Sequence, residues 1–180
     1  MNLNSYSVGT YTPGVSVIKQ VLWYFLGNAL VQTPLIPLSS FKVLILRLFG
    51  AKIGKGVNIK PLVKIKFPWR LTVHDYVWLG ENCWIDNLVE VTIESHSCIS
   101  QNVYLCTGNH DWSKPNFDLI VGPIYIERGC WIGANAVVGP GITIKQGAVL
   151  TLGAVATHSL EPMTIYAGNP CQIIKKRIVE

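Results

Sequence analysis

From Ile53 onward, an aliphatic residue marks every sixth position in groups of three: Ile53, Ile59 and Ile65; Val73, Leu79 and Ile85; Ile93, Ile99 and Leu105; Ile126, Ile132 and Val138; Ile144, Leu150 and Ala156. Two extra residues separate the first three groups, and one long excursion follows Leu105. Four places after each beat the residue is usually small or β-branched: Val57, Val63, Val77, Cys83, Val89, Val103, Cys130, Ala136, Ala148 and Ala154, with Trp69 and Ile142 as larger exceptions. A period of six cannot follow a helix of 3.6 residues per turn. It suits short flat sides joined by turns, each coil of three sides stacked on the last as parallel strands about 4.8 Å apart. One such coil cannot bury its own inner face, so the five groups predict a stacked three-sided solenoid with covered ends.

These features divide the chain into an N-terminal arm and helical cap (residues 1–50), a coil body (51–160) with a loop excursion at 107–123, and a C-terminal cover (161–180). A length of 180 residues suits one domain. The formal charge of +5 suits an anionic partner. Apart from Lys175, Lys176 and Arg177 the cations are dispersed, which argues against nucleic acid. Five cysteines (83, 98, 106, 130 and 171), an odd number without CxxC spacing, predict reduced thiols in a cytoplasmic protein. Cys83 and Cys130 fall on inward positions and read as core filler.

In the first fifty residues, Met1 to Pro13 reads as an irregular arm. Val15 to Val31 reads as a helix with Ile18, Leu22, Phe25, Leu26 and Ala29 on one stripe, ended by Pro34 and Pro37. A second helix, Ser39 to Phe49, starts on a serine cap and stops at Gly50. The first run is too short and too polar to span a bilayer. It is expected to pack on the protein, or to lie at a membrane surface through residues 15–49 with Trp23 and Tyr24 as interfacial anchors.

Several motifs carry a family likeness: Leu-Phe-Gly-Ala-Lys-Ile-Gly-Lys-Gly (48–56), Pro-Trp (68–69), Trp-Leu-Gly-Glu (78–81), Leu-Cys-Thr-Gly-Asn-His-Asp (105–111) and Ala-Gly-Asn-Pro (167–170). With the hexads, they resemble the hexapeptide-repeat acyltransferases, and more narrowly the colanic-acid-type exopolysaccharide acetyltransferases. The resemblance implies a left-handed parallel β-helix, where the usual rule for parallel crossovers would predict a right hand. The fold class is therefore all-β with a helical N-terminal segment. The resemblance also implies an O-acetyltransferase that uses acetyl-CoA, works as a homotrimer with sites between subunits, and accepts a sugar or lipid-linked saccharide.

The excursion opens on His110, the one histidine at a break in the repeat. A sugar hydroxyl needs a base to take its proton as it attacks a thioester, and histidine suits that task near neutral pH. The resemblance makes His110 that base, while His74 and His96 read as surface residues. Three carboxylates compete to meet the imidazole or the acceptor. Asp86 is expected on the substrate side. Glu90, one coil below His110 by rung counting, is a candidate orienter. Asp111 is adjacent, but neighbours along a strand point apart. Trp112 and Phe117 offer apolar contacts to an acceptor or a subunit. By resemblance, Trp131, Ala134, Gly153, Thr157, His158 and Lys175 contact the cofactor, with Lys176 and Arg177 as further cations for phosphate. The histidines and cysteines do not group at ligand spacing, so no metal is expected. Two other readings stay open: an acetyltransferase for a small acceptor, and a scaffold or carbonic-anhydrase-like metal enzyme. The last would need several converging histidines.

Overall fold

In the computed structural model, which describes residues 2–179, each six-residue step is a short strand and a corner. Three parallel sheets form the sides of a prism. The first face carries Lys52–Ile53, Leu71–Val73, Val91–Ile93, Ile124–Ile126 and Thr143–Ile144. The second carries Asn58–Ile59, Trp78–Leu79, Cys98–Ile99, Trp131–Ile132, Val149–Leu150 and Thr164–Ala167. The third carries Lys64–Ile65, Trp84–Asp86, Tyr104–Cys106, Val137–Val138 and Val155–Ala156. Register places beat on beat, so that Ile59, Leu79, Ile99, Ile132 and Leu150 make one fully buried ladder. Coils approach closely at the glycines that follow the beat. A Cβ on Gly80 would lie 2.6 Å from the Ser100 backbone, and one on Gly133 would lie 2.6 Å from the Leu152 nitrogen.

Three expectations about the body need correction. Val89 is only half-buried, and Asn87 fills that corner instead, with its amide bonded to both the N–H and the carbonyl of Phe67 at 3.0 and 2.7 Å. The two extra residues in that coil widen the corner, so a polar side chain must satisfy the backbone it exposes. The prism also runs past its fifth coil: Leu160 bridges to Ile144, and Thr164–Ala167 adds a parallel strand to the second face. Gln172–Lys176 then turns back antiparallel along that strand. Finally, the excursion is an antiparallel hairpin of Gly108–His110 with Leu119–Val121, standing off the corner between the third and first faces.

The helical segment closes the first coil, but not by the face expected. Helix α1 (Val17–Leu22), a π-helical turn (Trp23–Gly27) and helix α2 (Asn28–Gln32) run on continuously. Trp23, Gly27 and Val31 face inward, whereas Ile18, Leu22, Phe25, Leu26 and Ala29 are exposed. Trp23 is therefore a core anchor and not an interfacial one; its indole N–H donates to the Ile65 carbonyl at 3.2 Å. Helix α3 (Ser39–Leu48) has no side-chain cap. The Ser39 hydroxyl instead accepts from the Ile59 N–H at 2.9 Å.

This last bond belongs to a set. A first coil leaves one strand edge without a preceding coil, and unpaired edges invite aggregation or cost desolvation. Here side chains of the cap supply the missing partners. Arg47 donates to the Ile53 and Gly54 carbonyls, and Lys42 donates to the Lys60 carbonyl at 3.0 Å. Lys42 is fully buried, and burial lowers its pKa. Replacing Lys42 by Met keeps the volume but strands the Lys60 carbonyl, so we expect a loss of about 1–3 kcal/mol in a urea titration. Lys60→Met, which removes only an exposed side chain, is the matched control.

Candidate active site

His110 ends the first strand of the hairpin, half-buried, with its ring flat against Phe117 (centroids 4.2 Å apart, planes 4° off parallel). Its Nδ1 lies 2.9 Å from the Phe117 carbonyl oxygen. A carbonyl only accepts, so in the neutral imidazole Nδ1 carries the proton and Nε2 keeps a lone pair. Phe117 itself sits in the left-handed backbone region (φ 54°), an uncommon conformation for an aromatic residue. The hairpin holds that conformation, and it aims the carbonyl at the imidazole. The group bonded to the imidazole is thus a backbone carbonyl and not one of the three carboxylates.

Asp86 and Asp111 have other partners, and Glu90 stands at another level of the prism. Glu90 falls level with Pro123, since Val91 pairs with Ile124. The hairpin leaves the coil at Thr107 and rejoins it at Gly122, whose N–H donates to the Thr107 carbonyl at 2.9 Å, so rung counting through the excursion misplaced Glu90. Asp111 is tied to the Ser113 hydroxyl and lies 3.4 Å from Lys114; the serine bond first, then the lysine, hold its pKa below the usual carboxylate value. Asp86 lies in the third face on the coil below the hairpin. It receives the Tyr104 hydroxyl at 3.0 Å and pairs with Lys66 at 2.9 Å. Burial, together with Cys106 and Asp86 alongside, raises the Tyr104 pKa, so the phenol stays protonated and donates. Thr107 reaches back to the Asp86 carbonyl at 2.9 Å, which links this cluster to the base of the hairpin. Trp112 stands at the hairpin tip, 78% exposed.

Residues that the periodicity could not assign complete the surroundings. The N-terminal arm crosses the hairpin: Asn2 N–H donates to the Pro115 carbonyl at 2.8 Å, and Ser5 bonds Asn116 at 3.0 Å. Tyr6 thereby stands 5.7 Å from the His110 ring. Further on, Arg70 donates to the Thr12 carbonyl and lies over the Tyr11 ring, and Trp69 donates to the Pro13 carbonyl at 2.8 Å. Tyr6 and Tyr11 are the only aromatic residues of the arm, and nothing in a non-periodic segment says what it will touch.

The residues expected at the cofactor lie on other edges of the same prism. Ala134 and Gly153 stack at the corner between the second and third faces, where the Gly153 N–H donates to the Ala134 carbonyl at 2.9 Å. Trp131, 51% exposed, shares a row of the second face with Val149, Ile165 and Lys175. Thr157 and His158 are exposed beyond the last strand of the third face. The Nη1 of Arg177 donates to the Gly129 and Gly147 carbonyls at 2.9 Å each, which ties the guanidinium to the end of the prism. Lys176 donates to Thr164 at 2.9 Å. Among the described residues no group of three or more His, Cys, Asp or Glu could hold a metal ion.

No family model matches this chain. It is 39% identical over 177 residues to a protein of Escherichia coli K12 named as a colanic acid biosynthesis acetyltransferase, WcaF, with 98% of this chain and 97% of that one covered. It is 29% identical over 129 residues to the galactoside O-acetyltransferase of the same organism, covering 70% of this chain and 64% of the other. Among solved structures it superposes on the hexapeptide-repeat acetyltransferase VCA0836 of Vibrio cholerae complexed with acetyl-CoA, at a TM-score of 0.82 and 21% identity over 92% of both chains. That likeness gives the fold: the prism is the left-handed parallel β-helix of these acetyltransferases.

Proposed function

This chain belongs to the hexapeptide-repeat acyltransferases of the colanic acid biosynthesis type, and from that premise we propose that it transfers the acetyl group of acetyl-CoA to a hydroxyl of an exopolysaccharide sugar or its lipid-linked precursor. One observation carries the reading: the Phe117 carbonyl lies 2.9 Å from the His110 Nδ1, which supports Nε2 as the proton acceptor. Nε2 takes the sugar hydroxyl proton as the oxygen attacks the thioester carbon. The C–O bond forms, the C–S bond breaks, and the proton passes to the departing thiolate of CoA. A backbone N–H supplies the donor for the oxyanion formed between these steps.

The acceptor lies on the Asp86 side of the hairpin, with Asp111 and Trp112 above it and Glu90 at the edge. The donor lies along Trp131, Ala134, Gly153, Thr157, His158 and Lys175. Those residues and His110 occupy different edges of one prism, which supports a homotrimer whose sites join the base of one chain to the donor groove of the next. A small free sugar as acceptor is the second reading; the 29% identity to a galactoside O-acetyltransferase favours it over a scaffold. The test is CoA-thiol release across a panel of free, nucleotide-linked and lipid-linked sugars, with mass spectrometry of the product. We expect a gain of one acetyl group on a saccharide hydroxyl. Release without any acetylated saccharide would reject the acceptor class.

A further inference from the structure

The first 74 residues contain nine Lys or Arg and no Asp or Glu, whereas the remainder holds six Lys or Arg against ten Asp or Glu. The fold collects these cations at one end, because all nine lie in the helical cap and the first coil. Lys52, Lys60 and Lys64 stand exposed on successive sides of that coil and make a collar. At the same end the cap turns an apolar surface outward: Val17 and Ile18 on α1, Phe25 in the π turn, and Leu44 and Leu48 on α3 are 55–73% exposed. An ordinary surface helix shows water its polar face. This one buries Trp23 and Val31 and still leaves Ile18 and Phe25, each 73% exposed, in solvent.

Beside it, between α1 and the third face, runs a groove of about 580 Å³ lined by Val21, Phe25, Phe67 and Trp84, with Lys64 and Lys66 on its wall. Lys66 is the partner of Asp86, so the groove leads from the apolar end to the candidate acceptor side. Among the described residues no helix is long and apolar enough to cross a membrane. A shallow apolar face ringed by cations fits the interface of an anionic bilayer, where apolar side chains enter below the headgroups and lysines meet phosphate.

We propose that the helical cap and first coil dock on an anionic phospholipid surface, with Ile18 and Phe25 inserted and Lys60 and Lys64 at the headgroups, so that the hairpin site stands above the bilayer. The proposal deepens the reading of a lipid-linked acceptor, but its test needs no acetyl transfer. The protein is sedimented with vesicles of phosphatidylcholine alone or with about one third phosphatidylglycerol, at low and high salt. Binding is expected only to the anionic vesicles and is expected to weaken with salt. Ile18→Ser/Phe25→Ser and Lys60→Glu/Lys64→Glu should each weaken it at least about tenfold. Ile178→Ser, an equally apolar and exposed change at the opposite end, should leave it unchanged.

Acetyl transfer to a soluble acceptor serves as the separate readout, and it should be unaffected in all three variants. Failure of transfer to every acceptor of the panel, lipid-linked ones included, in the unaltered protein counts against the enzymatic reading alone. Failure of vesicle binding with transfer intact counts against docking alone. Docking is overturned if the unaltered protein ignores anionic vesicles, or if both double variants bind as it does. It is equally overturned if Ile18→Ser/Phe25→Ser changes only the oligomeric mass, which would make the face a contact between copies.

Discussion

His110→Ala is expected to lower kcat/KM for acetyl transfer by about 10²-fold or more, the usual contribution of a positioned general base. The fold should survive, because the ring lies on a hairpin outside the prism and makes one hydrogen bond there, to the Phe117 carbonyl. Circular dichroism and thermal unfolding should therefore match the unaltered protein. The affinity for CoA should also hold, since the residues placed at the donor lie on other edges. A second variant separates the two parts played by Phe117. Phe117→Ala removes the stacked ring but keeps the carbonyl; a stacked aromatic pair is worth about 0.5–1.5 kcal/mol, so the loss should stay within about tenfold. Unchanged turnover in His110→Ala would dismiss the imidazole as the base. Equal losses in the two variants would show that the stack, and not the proton acceptor, matters most.

Ile99→Ala is expected to cost roughly 2–5 kcal/mol of stability. Ile99 is fully buried at the middle of its ladder, between Leu79 and Ile132. The coils above and below are tied by backbone bonds such as Gly80 N–H to the Ile99 carbonyl at 2.7 Å and Ser100 N–H to the Ile132 carbonyl at 2.9 Å. They cannot slump into the void, which puts the cost toward the upper part of the range. A typical domain has only about 5–15 kcal/mol in hand, so the urea midpoint should fall markedly. On the same strand, Cys98 points outward and is half-buried, and Cys98→Ala should change stability by less than about 1 kcal/mol. Comparable losses for the two residues would mean that inner and outer faces do not differ as the prism requires.

The two variants also mark how far the sequence could be read. Ile99 and His110 were both legible: one by its place in the beat, the other because the beat stops beside it. The Phe117 carbonyl was not, because a backbone group carries no residue-specific signal. Glu90 was misplaced for a related reason. Counting along a repeat works only while the chain keeps the repeat, and the hairpin removes Thr107 to Gly122 from the count. The helix stripe failed differently. Ile18, Phe25 and Leu26 share a helical face with apolar character, yet Trp23, Gly27 and Val31 pack inward. Apolarity on every side leaves orientation open, and the bond from Trp23 to Ile65 decides it. The cap's donors were equally hidden: Lys42 and Arg47 look like ordinary surface cations until the orphaned carbonyls of the first coil lie beneath them.

The sequence alone determined the three-sided coil, its ladders and the point of interruption, because each follows from spacing along the chain and needs only nearest-neighbour stacking. The tertiary structure decided which proton His110 carries, which helix face stays in solvent and what closes the open edge of the first coil. Those depend on meetings between residues far apart in the chain, such as Tyr6 with His110 or Arg70 with Thr12. Short-range periodicity places no constraint on such meetings, and only the folded backbone brings the partners within bonding distance.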